Sequence, residues 1–191
     1  MALANLMEDS PVTPTYFENV VENPQELFEH FWNSLPWEKR GQTPRREVFF
    51  NDSGKPYTYG VPPYDRTYVP HTVWDIEVAK IRAAAEKQFG CKFEACFING
   101  YADDHDSLQW HADDSPTIDH TRPILVYSFG AEREIWFKEN EAPNDQRQRQ
   151  LLASGSLFVM PPGMQQTHKH RIPKHSASCG GRVSLTFRGL L

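Results

Sequence analysis

An α+β fold with a jelly-roll type β-sandwich as its larger part is what this sequence predicts, and three observations carry the prediction. Helical periodicity is confined to two stretches before residue 90, each with one apolar stripe. From Lys92 onward the chain breaks into short alternating runs at 92–99, 122–129, 133–138, 149–153, 156–160 and 182–188, separated by Gly, Pro and charged turns. Helices first and short strands afterwards is the pattern of segregated layers, not of alternating βαβ units.

Taken in order, residues 1–15, with Pro11 and Pro14, read as a loose N-terminal arm. The first helix runs from Pro24 to Ser34, with Asn23 as N-cap, Pro24 in the first turn and Leu27, Phe28, Phe31, Trp32 and Leu35 at helical spacing. Between Thr43 and Pro70 the prolines Pro44, Pro56, Pro62, Pro63 and Pro70 interrupt a series of aromatics. Asn51-Asp-Ser-Gly54 marks a turn between two extended runs, so a hairpin followed by an irregular aromatic loop is expected. Loops this long are usually functional or disordered. A proline-stiffened aromatic lid with Arg45 and Arg46 at its base suits stacking on a nucleobase and contact with phosphate; the plainer reading is that its tyrosines cover the core edge. The second helix is expected over Thr72–Phe89, with Thr72 as N-cap, Trp74, Val78, Ile81, Ala85 and Phe89 as its stripe, and Gly90 ending it.

At 191 residues the chain makes one domain with a substantial core, and it contains neither an internal repeat nor a low-complexity segment. Three cysteines, Cys91, Cys96 and Cys179, are too few and too odd in number for a disulfide framework, which points to a reducing compartment. No charged-then-apolar leader opens the chain and no apolar run is long enough to span a bilayer, so a soluble intracellular protein of the cytoplasm or nucleus is expected, with no membrane partner. A net charge of -5 argues against a broad, nonspecific nucleic-acid binder, although the distribution of charge matters more than its sum. Residues 161–191, however, contain Lys169, Arg171, Lys174, Arg182 and Arg188 and no acid. Either the mouth of a site is locally positive there, or these side chains form a solvated charged face.

The chemistry-bearing residues cluster around Asn99-Gly-Tyr101 and Ser107-Leu-Gln-Trp110-His111-Ala-Asp113-Asp114. On an extended segment His111 and Asp113 point to one face, where an imidazole and a carboxylate could bind one metal ion. With eight histidines in the chain a His-x-Asp pair arises by chance roughly half the time, so the pair alone is weak. A second histidine would complete two histidines and a carboxylate, the facial set that leaves half of an octahedral iron(II) open; His170 is a candidate, and His168 and His175 beside it could each serve in principle. Arg182 and Arg188 fall six apart on an alternating strand, hence on one face, where two fixed guanidiniums suit a small dicarboxylic acid. Cys91 and Cys96 lack partners at zinc spacing, and Asp103, Asp104 and Asp106 lack the glycine and closing glutamate of a calcium loop.

Asn99-Gly-Tyr101, His111-Ala-Asp113, His170-Arg-Ile-Pro173 and Arg182-Val-Ser-Leu-Thr-Phe-Arg188 together resemble, in order, spacing and residue type, the AlkB-like iron(II) and 2-oxoglutarate dependent dioxygenases. The resemblance covers about residues 40–190. It implies a double-stranded β-helix backed by N-terminal helices, with 92–191 as catalytic core and 43–70 as nucleotide recognition lid. It implies Fe(2+) on His111, Asp113 and His170, with 2-oxoglutarate and O2 as cosubstrates. Arg182 would hold the distal carboxylate with help from Tyr101, and Asn99 and Arg188 would lie nearer the chelating end. The implied reaction oxidises an N-methyl group on a base of DNA or RNA and releases succinate, CO2 and formaldehyde, by a monomeric enzyme. Tyr59 would stack on the flipped base opposite His111 and Tyr57 would hydrogen-bond beside it. Trp110 is read first as packing and second as a substrate contact. One position departs from the family: Ser115 stands where an acid usually reads a cationic methylated base, and Asp114 is its candidate substitute. Two other readings stand beside this one, a dioxygenase of the same fold that hydroxylates a protein or small molecule, and a noncatalytic nucleic-acid-binding relative.

Overall fold

The computed structural model describes residues 12–59, 63 and 66–191, with the backbone alone of Tyr59. Its first element, β1 (Thr15–Phe17), shortens the expected arm, most of which lies outside the described residues. Then come α1 (Pro24–Ser34), β2 (Arg46–Asn51), β3 (Tyr57–Tyr59), β4 (Arg66–Tyr68) and α2 (Ile76–Phe89). The rest of the chain forms β5 (Ala95–Tyr101), β6 (Leu108–His111), β7 (Ile124–Gly130), β8 (Arg133–Glu139), β9 (Gln148–Leu152), β10 (Ser156–Met160), α3 (Met164–Thr167), β11 (His168–Ile172) and β12 (Arg182–Arg188).

Two antiparallel sheets make a jelly roll: six strands in the order β1-β10-β7-β12-β5-β2 and four in the order β6-β11-β8-β9. Alternation along the strands assigns two faces to the larger sheet. Leu125, Tyr127, Phe129, Val183, Leu185 and Phe187 point outward into a core closed by Phe31 of α1 and by Val78, Ile81 and Ala85 of α2. Between the sheets lies a second core built on Ile124, Val126, Ile135, Phe137, Phe158 and Ile172. The inward positions of β12 are Arg182, Ser184, Thr186 and Arg188, a polar stripe in an otherwise apolar space.

The first helix occupies its expected span, but Asn23 caps it through a left-handed backbone and not through its side chain. The second starts at Ile76, not Thr72. Asp75 accepts hydrogen bonds from the N–H groups of Glu77 (3.0 Å) and Val78 (3.1 Å), and a carboxylate on two orphan donors is a stronger start than a threonine further out. Trp74 is thereby left outside the helix, stacked on Phe50 at 5.5 Å. Gly90 ends the helix in the left-handed region, as expected, its N–H on the Glu86 carbonyl.

Long-range pairing redraws several boundaries. The expected 92–99 strand starts at Ala95, because Glu86 takes the Phe93 N–H, and continues to Tyr101, which pairs with Arg182. The Asn51–Gly54 turn exists, yet the strands either side do not pair: β2 joins β5, and β3 pairs with β4 as a separate ribbon. The expected 43–70 lid is therefore divided, its first strand belonging to the main sheet. Likewise the sandwich is not confined to 92–191, since β1 and β2 both enter the larger sheet.

At the junction of α1 with this sheet the chains approach closely. A side chain at Gly130, whose φ is +85°, would strike the Gly181 carbonyl and the Phe28 ring (2.6 Å), and one at Gly181 would meet Phe28 and Trp32 at 3.2 Å. Gly130 is opposite Arg182 in the register. No helix among the described residues is long and apolar enough to cross a membrane.

Candidate active site

Neighbouring strands of the smaller sheet bring two histidines together. His170 of β11 is directly opposite His111, the last residue of β6, and their rings lie 4.2 Å apart. A register shift between His170 and Ile172 marks a bulge here. Asp113 follows two residues beyond the end of β6, its carboxylate Oδ1 3.8 Å from His111 Nε2. One potential ligand atom from each of His111, Asp113 and His170 falls within 4.8 Å of the others, on side chains that are nearly or fully buried.

The surroundings prepare these three for a cation. The Gln109 carbonyl can only accept, so His111 Nδ1 carries the proton (2.8 Å) and Nε2 keeps its lone pair for a metal. Burial lowers the His111 imidazole below its ordinary value; His170 falls to about 3, through burial first and then the neighbouring His111. Both rings are neutral at physiological pH. Burial alone would raise the Asp113 carboxyl, but Arg188 and the two imidazoles outweigh it and hold the group well below the usual range. Arg188 donates to Asp113 Oδ2 through Nη2 (2.8 Å) and Nε (3.1 Å). Gln165 of α3 accepts the Asp113 backbone N–H at 2.9 Å. An ionised carboxylate between two neutral imidazoles is a fitting donor set for iron(II).

Arg182 closes the far end of the same cavity and is fully buried. Its Nη2 donates to Ser128 Oγ at 2.9 Å, while Nε and Nη1 are buried without a partner. Tyr101 lies against it, ring centroid 5.2 Å from the guanidinium, and Arg133 is 5.5 Å from the same ring. Burial lowers Arg182 to about 10, with Tyr101 opposing and Arg133 adding to the fall. A buried guanidinium with open donors fits a carboxylate that arrives with a ligand.

Asn99 borders the cavity too, its Oδ1 accepting from Arg45 Nε at 2.8 Å. Arg45 also donates to Glu47 Oε1 at 2.6 Å, so it is a buried wall residue and not an exposed phosphate contact. Arg46 lies over the Trp32 ring, its guanidinium 3.8 Å from the centroid, with Nε and Nη2 buried without a hydrogen-bond partner. Toward the mouth, Tyr57 and Tyr68 stack at 6.5 Å and, with Phe97, line the pocket that reaches His111 and Asp113. Burial raises the Tyr57 hydroxyl to about 12; Asp113 and Asp114 add to the rise, while Arg188 and a hydrogen bond with Ser115 oppose it. Tyr57, Asp114 and Ser115 therefore meet at the mouth, whereas the side chain of Tyr59 lies outside the described residues. Trp110 does not line the pocket. Its neighbour His111 takes the inward direction, and the indole sits outside beside Lys138 and Arg171. Lys169 and Arg171 share that outer face, so they do not make the mouth positive.

Glu47, Ser128, Arg133 and Gln165 are site residues that sequence reading missed, whereas Arg45 was expected at the lid base as a phosphate contact and is found as a buried wall residue. Gln165 and Ser128 carry no local signal, because each acts through a distant approach. The burial of Arg45 could have been suspected from Glu47, its partner two positions on.

The sequence pattern of the 2OG-Fe(II) oxygenase superfamily matches residues 8–188. The alpha-ketoglutarate-dependent dioxygenase alkB homolog 3 of Bos taurus is 29% identical over 177 residues, covering 85% of this chain and 60% of that protein. The DNA oxidative demethylase ALKBH2 of Mus musculus is 28% identical over 166 residues, covering 84% of this chain and 64% of its own. This chain thus spans about three fifths of the length of these curated relatives. Among solved structures, that of OsALKBH1 superposes with a TM-score of 0.66 at 13% identity, covering 96% of this chain and 99% of the other.

Proposed function

The chain belongs to the 2OG-Fe(II) oxygenase superfamily, and from that premise we propose that it is an oxidative demethylase of N-methylated bases in DNA or RNA. The cofactor set of this family is Fe(II), with 2-oxoglutarate and O2 as cosubstrates. The observation that carries the reading is a single cavity holding His111, Asp113 and His170 together with an arginine whose open donors await an anion. The names of the curated relatives, a dioxygenase of the alkB type and a DNA oxidative demethylase, support a nucleic-acid substrate.

His111, Asp113 and His170 would hold the iron, and Arg182, with Tyr101 and Ser128, the far carboxylate of 2-oxoglutarate. Bound there, the metal and cosubstrates supply the oxidation that converts 2-oxoglutarate to succinate and CO2 and places one oxygen atom on the methyl carbon, after which the N–CH2OH group separates into N–H and formaldehyde. Arg188 keeps Asp113 ionised and aims its other oxygen at the metal position. The Gln109 carbonyl fixes the His111 tautomer, and Gln165 fixes the backbone that presents Asp113. Tyr57 and Tyr68 narrow the mouth and exclude water around the reacting carbon. A base still in a duplex cannot enter, so the substrate is a single strand or a flipped nucleotide, acted on by a monomer inside the cell. Ser115 beside Tyr57 offers no charge, and Asp114 is exposed, so neutral methylated bases are favoured over cationic ones.

The test is mass spectrometry of a panel of methylated oligonucleotides after incubation with iron(II), 2-oxoglutarate and ascorbate. Loss of methyl mass with matching formaldehyde is expected. Consumption of 2-oxoglutarate with no methylated oligonucleotide altered would transfer the activity to a protein or small-molecule hydroxylase.

A further inference from the structure

We propose that the outward face of the four-stranded sheet is a docking surface for the single nucleic-acid strand whose base enters the active site. The inference rests on the nucleic-acid reading above. Along β11, His170 and Ile172 are buried inward while Lys169 and Arg171 point out; along β8, Ile135 and Phe137 are buried while Trp136 and Lys138 point out. Arg149 of β9 is opposite Trp136 in the register.

Three guanidiniums crowd one indole. Arg147, Arg149 and Arg171 lie 4.2, 5.0 and 5.5 Å from the Trp136 ring, and Arg171 bridges onward to Trp110 at 5.7 Å, where Lys138 also lies, at 5.4 Å. The outward positions of β8 add Glu134, but its carboxylate accepts the Trp136 indole N–H at 2.6 Å and sits at the end of the strand away from Lys138. The Nε groups of Arg147 and Arg171 are buried without partners and Arg147 Nη1 donates to the Asn144 carbonyl at 2.6 Å, so the cations are held by aromatic faces and a carbonyl, with no ion pair to an acid among the described residues. Arg147 lies near enough to help burial lower the Arg171 guanidinium. Such crowding is relieved by an anion of regular charge spacing, and on a chain of net charge -5 it marks one face for phosphate.

Continuity with the active site singles out a strand among possible polyanions. The edge strand β6 contributes Leu108 and His111 to the pocket and Trp110 to the outer face. Nucleotides flanking the bound base need only cross that edge to reach the arginines, where bases can stack on guanidinium and indole planes.

The test measures anisotropy of a labelled, unmethylated strand of about 20 nucleotides over a salt series. Arg149→Glu with Arg171→Glu should weaken binding at least about tenfold and make the log–log salt slope shallower by about 1.4, two phosphate contacts at about 0.7 each. Lys80→Glu with Lys87→Glu on α2 changes the charge equally, off this face, and should weaken it less than about threefold by screened long-range attraction alone. Arg149→Gln with Arg171→Gln repeats the measurement should the reversed charges unsettle the fold. In turnover, the arginine variants should raise KM for the long methylated strand and leave kcat, and turnover of a methylated trinucleotide, unchanged. Equal losses in the two charge reversals, or inorganic polyphosphate competing as well per phosphate as the oligonucleotide, would overturn the docking surface. Should wild type bind the strand through this face yet demethylate nothing, the demethylase reading fails and this one stands.

Discussion

Replacing Arg182 with methionine should move stability and cosubstrate affinity in opposite directions. The guanidinium is fully buried, has one hydrogen bond to Ser128 and leaves two nitrogens without partners. Burial lowers it from 12.5 to about 10, which at about 1.36 kcal/mol per pKa unit puts the cost of the buried cation at about 3 kcal/mol. Methionine removes that cost among Val126, Ile135 and Met160, and strands the Ser128 hydroxyl, for about 1 kcal/mol. The metal-free, cosubstrate-free variant should therefore be more stable by about 2 kcal/mol, a rise of roughly 5 °C in Tm for a chain of this size. Binding of 2-oxoglutarate meanwhile loses its charged partner at a desolvated site, for about 2 to 5 kcal/mol, or roughly 30-fold to several thousand-fold in KM. Urea titration and scanning calorimetry read the first effect, and succinate production against 2-oxoglutarate concentration the second. A variant less stable than wild type, or one with unchanged KM, would refute the account of Arg182 as a cation held unpaired for the cosubstrate.

Alanine at His111, Asp113 or His170 should abolish both iron retention, by metal analysis, and formaldehyde release, whereas His168→Ala and His175→Ala should keep most of each, since their rings bond Thr167 and the Ala177 carbonyl instead. Metal-free protein should lose stability as pH falls. His170 has a folded value of about 3 against an ordinary 6.5, so below 6.5 only the unfolded chain takes that proton, and stability falls toward pH 3 by on the order of 5 kcal/mol, followed by denaturant midpoints. The Asp113 shift acts in the same direction below 3.8, and a midpoint flat between pH 6 and 4 would contradict the His170 account. Asp75→Ala should lower stability by about 1 kcal/mol through loss of the α2 cap, with turnover at assay temperature retained. Tyr57→Ala should slow oligonucleotide turnover by the equivalent of about 1 to 3 kcal/mol while uncoupled 2-oxoglutarate decarboxylation persists; loss of both would mean that Tyr57 supports the metal group itself.

Elements whose own residues decide their state were legible in the sequence. Arg182–Arg188 alternates strictly and is flanked by glycines, and Pro24–Ser34 carries both its stripe and its proline start, so each occupies the expected span. β11 was invisible as a strand because His-Lys-His-Arg-Ile has no apolar alternation; it is extended because β6 and β8 pair with it on both sides. For the same reason the Asn51–Gly54 turn suggested a hairpin that does not form, since β2 finds β5, far along the chain. The His111, Asp113 and His170 cluster was readable from residue type and spacing together with the resemblance, while Gln165 behind Asp113 and Ser128 beside Arg182 are ordinary residues made special by tertiary approach alone. The direction of a side chain likewise decides Arg46 and Trp110: the first lies over the Trp32 ring and not in the lid, and the second sits by Lys138 and Arg171 outside the pocket.

The contact between α1 and the glycines at 130 and 181 sets the depth of the Arg182 end of the cavity. Gly181 precedes Arg182, Gly130 faces it across the sheet, and Phe28 presses on both from the opposite side, joined at Gly181 by Trp32. The helix acts as a depth stop, so α1 gauges how far the Arg182 guanidinium projects toward His111, Asp113 and His170. Because the separation there is already less than a methyl group requires, the two rings and the two glycines form one unit of design: a graft that exchanges the helix without them would show first as altered affinity for 2-oxoglutarate, with the metal group itself untouched.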